Sequence, residues 1–254
     1  MNEEEPHFTK VESIYVRGRN ALMVKAHFPD IYLDYYIHRK DHDIEYPNEL
    51  DLLLKQLLAV FTLHLVARPW AETIAWTANL RAPRINAFVT GGSLHENVTG
   101  RLFLEDVREP DRNFLYAQTT VNGEPARNST IEVQTNNPLE WMETYYSQSE
   151  QRPCRCFELE DENFVLIAAQ PDCDEQWLEN LTKETAATIL QDEETKPLEN
   201  RRLRFHCGCT VEKIVPVLSG WKEKPEAIFG DQQSLQVNCP RCAATYTVTR
   251  DMLE

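Results

Sequence analysis

The chain has 254 residues, which is enough for one large domain and a smaller one. Its hydrophobic content of 42% supports a folded core, whereas its formal net charge of −15 argues against a nucleic-acid partner, because a phosphate-binding surface needs excess lysine and arginine. The seven cysteines are an odd number and lie mostly in close pairs. This usage is typical of a reducing compartment, so we expect a cytoplasmic protein.

The first part of the chain predicts a β-hairpin, a third strand and a buried helix. Residues 11–16 and 21–27 flank a turn that contains Gly18 and Asn20, and residues 32–37 have the composition of a strand. A leucine-rich stretch then predicts a helix from about residue 49 to residue 66, with a wide apolar face suited to the centre of a domain.

We expect neither a membrane segment nor a signal peptide. The longest apolar run, residues 52–66, is interrupted by Lys55 and Gln56 and is too short to span a bilayer. The first five residues, Met-Asn-Glu-Glu-Glu, are acidic and contain no apolar run.

The middle of the chain predicts a meandering, mostly antiparallel sheet. Turns are expected at Gly91-Gly92 and at Asn122-Gly123. Asn137-Pro138 has the composition of a helix start, and the helix is expected to end near Ser149. The predicted strands cover residues 74–77, 85–90, 98–107, 114–121, 130–133, 155–159 and 164–169.

Residues 172–200 have helical spacing and an acidic composition. Residues 150–200 carry 14 acidic and 4 basic side chains. Because this stretch has fewer apolar residues than the segments before it, we predict a linker helix that is docked by few contacts and opens more readily than the core.

Two cysteine pairs dominate the C-terminal part. Cys207-Gly208-Cys209 and Cys239-Pro240-Arg241-Cys242 are separated by residues 210–238. Four thiols in two tight pairs predict one tetrahedral zinc site, and on an extended strand Cys207 and Cys209 would share a face. A segment this small cannot form a large core, so we expect zinc to fold it and chelation to unfold it.

The pair spacing leaves two roles open for the predicted zinc. Each pair can also close on itself as a strained and easily reduced disulfide, so the site could act as a reversible oxidant sensor. A static structural zinc is the alternative. Three basic side chains could offset the thiolate charge, namely those of Arg204, Lys213 and Arg241.

Other readings of the cysteines and histidines receive less support from the sequence. Cys-Pro-x-Cys occurs in thiol oxidoreductases at a helix start, but a strand at 245–249 is expected here, so we predict no enzyme. His206 could replace a cysteine ligand, although four thiols already complete a tetrahedron. Cys154, Cys156 and Cys173 have no matching partner pair and are interpreted as buried or half-exposed thiols.

Two stretches resemble the heat shock protein 33 family of redox-regulated holdase chaperones. One is the C-x-C…C-x-x-C pattern with Tyr246 four residues after Cys242, and the other is the run from Tyr145 to Pro153, Tyr-Tyr-Ser-Gln-Ser-Glu-Gln-Arg-Pro. The order of predicted elements is similar as well. The span from Pro171 to Phe205 is shorter than the linker usual in that family.

The resemblance implies a mechanism. The reduced protein would hold one zinc ion through Cys207, Cys209, Cys239 and Cys242 and be inactive. Oxidants would close each pair as a disulfide and expel the metal, the linker would lose its docking, and the exposed apolar surface would bind unfolding client proteins without ATP. Oxidised members often form homodimers. The short linker motivates an alternative, a constitutive zinc-stabilised protein-binding module without a redox switch.

Together these patterns predict an α+β protein in three parts. Residues 1–171 would form a large domain with a mostly antiparallel sheet and a central buried helix. Residues 172–203 would form the acidic helical linker, and residues 204–254 the small Cys₄ zinc module.

Overall fold

In the computed structural model, which describes residues 7–221 and 226–253, strands form one large sheet and a separate C-terminal hairpin. The strands are β1 Thr9–Val16, β2 Ala21–His27, β3 Thr73–Leu80, β4 Ile85–Gly92, β5 Asn97–Phe103, β6 Phe114–Thr120, β7 Arg127–Glu132, β8 Cys154–Glu158, β9 Asn163–Ala169, β10 Thr195–Phe205, β11 Ser234–Asn238 and β12 Thr245–Thr249. The helices are α1 Pro29–Asp41, α2 Asn48–Val66, α3 Pro138–Gln148, α4 Glu175–Glu179, α5 Lys183–Asp192, α6 Val211–Ile214 and α7 Glu226–Phe229.

Strand β10 joins the two halves of the large sheet. The strand order is β7-β6-β3-β4-β5-β10-β1-β2-β9-β8, so β10 lies between the two halves. It pairs antiparallel with β1 from Thr195 to Leu203, and parallel with β5 only at Arg204 and Phe205. The other neighbouring pairs described in this sheet are antiparallel, which confirms the predicted fold class.

Helix α2 is the centre of the main core, as the leucine pattern predicts. Twelve of its residues are buried, and Phe61 makes an edge-to-face contact with Trp76 of β3. Helix α3 begins as expected at Pro138, where the Asn137 side chain accepts a hydrogen bond from the backbone N–H of Leu139. Its aromatic residues Tyr145 and Tyr146 are buried in the main core, where their rings pack against His64 near the end of α2.

The acidic segment packs on the opposite face of the sheet. Leu178, Leu181, Ala186 and Ile189 of this segment are buried against β1, β2 and β9, so the contacts are more extensive than the sequence indicated. The prediction of a helix up to Asn200 is wrong, because α5 ends at Asp192 and β10 begins at Thr195. The partner strand β1 lies at least 179 residues earlier in the chain at every paired position, which a local pattern cannot show.

Two further local predictions are corrected by the structure. Residues 32–37 belong to helix α1 rather than to a strand: Pro29 and Asp30 begin the helix, and Ile31, Tyr32 and Tyr35 form its buried side. Gly91 and Gly92 end β4 rather than forming a turn. At Gly91 a Cβ atom would lie 2.5 Å from the Asn97 carbonyl oxygen, so close strand packing requires glycine.

The other predicted strands and the hairpin of β1 and β2 are confirmed with small differences at their ends. Among the described residues, the structure contains no helix that is both long and apolar enough to cross a bilayer. The acidic residues 1–5, on which the signal-peptide prediction depends, lie outside the described residues.

Candidate metal centre

The four predicted cysteine ligands come from two arms of the chain. The first arm leaves the end of β10, where His206 alone separates Phe205 from Cys207. The second arm is the loop between β11 and β12, which contains Cys239 and Cys242. The central strand of the large sheet therefore leads directly into one half of the site.

Cys207 and Cys209 lie in a turn, not on the extended strand that the sequence analysis expected. Residues 206–210 have no regular structure, and Gly208 between the two cysteines has φ +64°. This left-handed conformation costs little only for glycine, which explains the residue type at this position. The Lys213 ammonium group donates to the Gly208 carbonyl at 2.6 Å and supports the turn.

The second arm forms a tight loop closed by backbone hydrogen bonds. The N–H of Cys239 donates to Ala244 at 2.8 Å, and the N–H of Ala243 donates to Cys239 at 3.0 Å. The antiparallel pairing of Asn238 with Thr245 fixes the base of this loop. Because Cys239 and Cys242 lie in a hairpin loop and not at a helix start, the thiol oxidoreductase geometry is not present here.

The structure brings all four predicted sulfurs together. Their Sγ atoms lie within 4.8 Å of one another, with Cys207 and Cys239 at 3.7 Å and Cys209 and Cys242 at 3.4 Å. Four sulfurs at ~2.3 Å from a tetrahedral zinc ion would be about 3.8 Å apart, so the donor set and spacing fit zinc. His206 is exposed and is not a member of this group.

Close contacts among the four thiols lower the pKa of two of them and raise the pKa of the other two. A hydrogen bond from the Cys207 thiol lowers the pKa of Cys209 to about 6 and also holds the pKa of Cys239 below its usual range. The same sharing of protons raises the pKa of Cys207 and of Cys242. The phenol of Tyr246 lies 3.1 Å from the Cys209 sulfur and further favours the Cys209 thiolate.

The positive charges near the site differ in part from those expected. Lys213 contacts the first arm, as described above, but the Arg204 guanidinium is paired with the Asp34 carboxylate at 3.4 Å. Arg101 of β5, which the sequence analysis missed, donates to the Cys239 carbonyl at 2.9 Å. No local pattern marks Arg101, because it lies 138 residues from Cys239.

A second missed residue contacts the same loop from α1. His38 Nε2 lies 2.8 Å from the Cys242 carbonyl oxygen, and its ring also packs on Phe205 at a centroid distance of 5.3 Å. On the first arm, Asn97 of β5 donates to the His206 carbonyl at 3.0 Å. Residues 7–205, which contain the large sheet and its helices, are called the sheet body below. The sheet body therefore contacts both arms of the site.

The remaining cysteines take no part in the cluster. Cys154 and Cys156 are buried on β8, and burial raises the pKa of both thiols, so they are poor nucleophiles. Cys173 is half-buried in the turn before α4. Among the described residues, the four clustered cysteines are the one group with spacing suited to a metal ion.

The fold and the site together define an α+β protein with a large, mostly antiparallel sheet and a C-terminal cluster of four cysteines that could hold a metal ion. Comparison with known proteins shows which ones the chain is similar to. The profile of the Hsp33 protein family matches residues 157–249. A structure of the 33 kDa chaperonin (heat shock protein 33 homolog) from Thermotoga maritima matches over 98% of this chain and 97% of its own, with a TM-score of 0.69 and 14% identity. The chain is therefore similar to Hsp33 proteins in sequence over residues 157–249, and it shares the fold of the Thermotoga maritima protein over nearly its whole length.

Two curated relatives match shorter segments. The 33 kDa chaperonin of Caldanaerobacter subterraneus subsp. tengcongensis is 31% identical over 68 residues, which are 26% of this chain and 23% of that protein. The 33 kDa chaperonin of Methylobacillus flagellatus is 26% identical over 85 residues, 33% of this chain and 29% of its own. The aligned segments thus span less than a third of either relative.

Proposed function

We propose that this protein is a redox-regulated, ATP-independent chaperone that binds unfolding proteins after its zinc-bound cysteines are oxidised. The observation that carries the proposal is the convergence of four thiols within 4.8 Å of one another at the end of β10. The family supports a chaperone role, and the relatives it matches are called chaperonins. The proposed setting is the reducing cytoplasm, with client proteins as partners, neither nucleic acid nor membrane bound, and a homodimer formed on oxidation.

When bound, zinc supplies the cross-link that holds the two cysteine arms together in the reduced protein. The chemistry of the switch would reside in the sulfurs. One thiolate of a pair attacks a peroxide oxygen, the O–O bond breaks, and the thiolate becomes a sulfenic acid. The second thiolate attacks that sulfur and forms the disulfide. Each pair loses two electrons, and with two protons one peroxide becomes two waters.

We assign the disulfides to Cys207–Cys209 and Cys239–Cys242, as the family resemblance implies. Sulfur–sulfur contacts of 3.7 and 3.4 Å lie across the two pairs, so the reduced geometry does not itself select this pairing. Closing either set of bonds removes thiolate ligands, and the module would lose the energy that folds it. Peptide mapping of the oxidised protein by mass spectrometry distinguishes bonds within pairs from bonds between them.

The test is suppression of aggregation of a thermally unfolding protein. We expect the peroxide-treated protein to suppress aggregation at near-equimolar ratio, and the reduced zinc-loaded protein to suppress it weakly. Treating the oxidised sample with dithiothreitol and zinc should restore the weak state. The Cys173→Ser variant serves as the matched control and should switch normally, because Cys173 lies outside the cluster. Equal suppression by reduced and oxidised protein would overturn the redox part of the proposal.

A second candidate is a constitutive zinc-stabilised protein-binding module, and the position of β10 favours it. This strand pairs with β1 from Thr195 to Leu203, and its Leu203 and Phe205 are buried in the main core. Oxidation of the module would have to pull an internal strand from the sheet to release the segment before it. The constitutive candidate predicts client binding that is independent of the oxidation state, so the same assay separates the two functions.

A further inference from the structure

The contacts between the sheet body and the metal-binding loop converge on the cysteines themselves. His38 Nε2 is 2.8 Å from the carbonyl oxygen of Cys242, and Arg101 Nη1 is 2.9 Å from that of Cys239. His38 comes from α1 and Arg101 from β5, so two separate elements of the body hold the two residues of one cysteine pair. These carbonyls belong to ligands and not to neighbouring residues.

Each of the two side chains is itself held in place. The guanidinium carbon of Arg101 lies 4.2 Å from the centre of the Phe103 ring, a cation–π contact on the same strand. The His38 ring packs on Phe205, the last residue of β10, and on His42. His38 thereby contacts the chain just before Cys207 and the carbonyl of Cys242, and it connects the two arms.

Strand β5 anchors the first arm as well. The backbone N–H of His206 donates to the Val98 carbonyl at 2.9 Å, and the Asn97 side chain donates to the His206 carbonyl at 3.0 Å. The body therefore fixes Cys207 through β5 and Cys239 through Arg101 of the same strand. Strand β5 thus contacts both arms and contributes to the distance between them.

We propose that His38 and Arg101 are positioning residues of the metal centre, which hold the second cysteine pair at the correct distance from the first. The metal is then retained by the sheet body as well as by the four thiolates. By linkage, metal binding and docking of the module stabilise each other to the same extent. This inference rests on the zinc site of the proposed function but not on chaperone activity.

The experiment measures zinc loss from the reduced, full-length protein into an excess of chromophoric chelator. Arg101→Gln should accelerate the loss about tenfold or more, because it removes a charge-assisted hydrogen bond. His38→Phe keeps an aromatic ring against Phe205 and removes the donor, so we expect about a threefold to tenfold acceleration. Arg101→Lys keeps the charge without the planar donor group and should lie between wild type and Arg101→Gln.

Two matched variants serve as controls. Arg108→Gln and His95→Phe change exposed residues outside the cluster and should release zinc at the wild-type rate. Thermal unfolding of the body, followed by near-ultraviolet circular dichroism, should be unchanged in His38→Phe and Arg101→Gln.

Release rates for both variants within about twofold of the controls would overturn the inference. It would also be overturned if faster release came with an equal loss of body stability, which indicates a general structural role. A wild-type protein that takes up no zinc would overturn both this inference and the zinc site. A failed aggregation assay with normal zinc uptake would affect the chaperone proposal alone.

Discussion

The sheet body and the C-terminal module are stabilised by different means. The body has a continuous core that includes all of one side of α2, with Phe61, Trp76 and Tyr146 among its fully buried side chains. In the described part of the module, the apolar clusters are small, and Phe229 and Val248 are the buried members of the larger one. Burial of apolar area can therefore stabilise the body, whereas we expect the module to depend on the proposed metal site and on its docking contacts.

One chain can contain a stable region together with a region whose folding depends on a ligand. A region that depends on a ligand for its folding can be lost without loss of the rest, provided that the two cores are separate. The connection here is β10, which belongs to the core of the body and ends at the first cysteine arm. Each region can therefore be changed separately and the response of the other region measured.

Removal of the metal should have the largest effect. The binding of structural zinc contributes roughly 10–16 kcal/mol to the folding free energy of zinc-finger peptides. Burial of the module's small apolar core cannot replace a contribution of this size. Under reducing conditions, chelation should abolish hydrogen-exchange protection in β11 and β12 and leave β2 and β9 protected. Chelator saturated with zinc is the control. Protection that persists in the hairpin after chelation contradicts the proposed role of the metal.

Deletion of a core side chain in the body should have the next largest effect. Phe61→Ala leaves a cavity beneath Trp76 and should lower the free energy of unfolding of the body by ~3–5 kcal/mol, measured by urea denaturation. Zinc release from the native protein should remain at the wild-type rate. The control is Leu52→Ala on the same helix, where the side chain is 51% exposed and the loss should be small.

The same difference explains what the sequence could predict. The core helix α2 and the antiparallel strands repeat their apolar pattern within a few residues, so local periodicity identifies them. The clustering of the four cysteines was also predictable, because two close cysteine pairs indicate a common site without knowledge of the fold. Strand β10 was not, since its partner β1 is remote and its exposed side is polar.

The residues that contact the four cysteines were harder to predict than the cysteines themselves. Arg101 and His38 each lie more than 130 residues from the cysteines whose carbonyls they contact. Their roles follow from the fold, which places β5 and the end of α1 beside the module. The prediction of a strand at Cys207 and Cys209 was wrong for a local reason. A C-x-C spacing is compatible with both a strand and a turn, and the glycine at position 208 favours the turn.

Acid should weaken the body through His64, which is buried at the end of α2. Burial lowers the pKa of this imidazole well below its ordinary value, and Arg68 and Arg152 lower it further; its neighbours include the Tyr146 hydroxyl. The unfolded chain therefore binds a proton that the folded chain excludes. The contribution of neutral His64 to the free energy of unfolding is fully present above about pH 6.5. Below that pH the free energy of unfolding falls by ~1.4 kcal/mol per pH unit for one proton.

Urea denaturation at pH 7.5, 6.5 and 5.5 measures this dependence. The His64→Phe variant should show a shallower decrease between pH 6.5 and 5.5 than the wild type, whatever its stability at pH 7.5. His95→Phe, which changes an exposed histidine, should keep the wild-type slope. An unchanged slope in His64→Phe would show that other groups cause the acid sensitivity.

The smallest expected effect is a change in the turn between the first two cysteines. Gly208→Ala places a Cβ at φ +64° and about 3.3 Å from His206 Nε2, so the loaded module should lose about 1 kcal/mol. Zinc affinity, measured by chelator competition, should fall about fivefold, while urea denaturation of the body stays unchanged. Gly18→Ala is the matched control, because its added Cβ meets no atom within 4 Å and lies outside the module. Equal zinc affinity for the two variants would mean that the thiolates, rather than the backbone of the turn, determine how the first arm meets the metal.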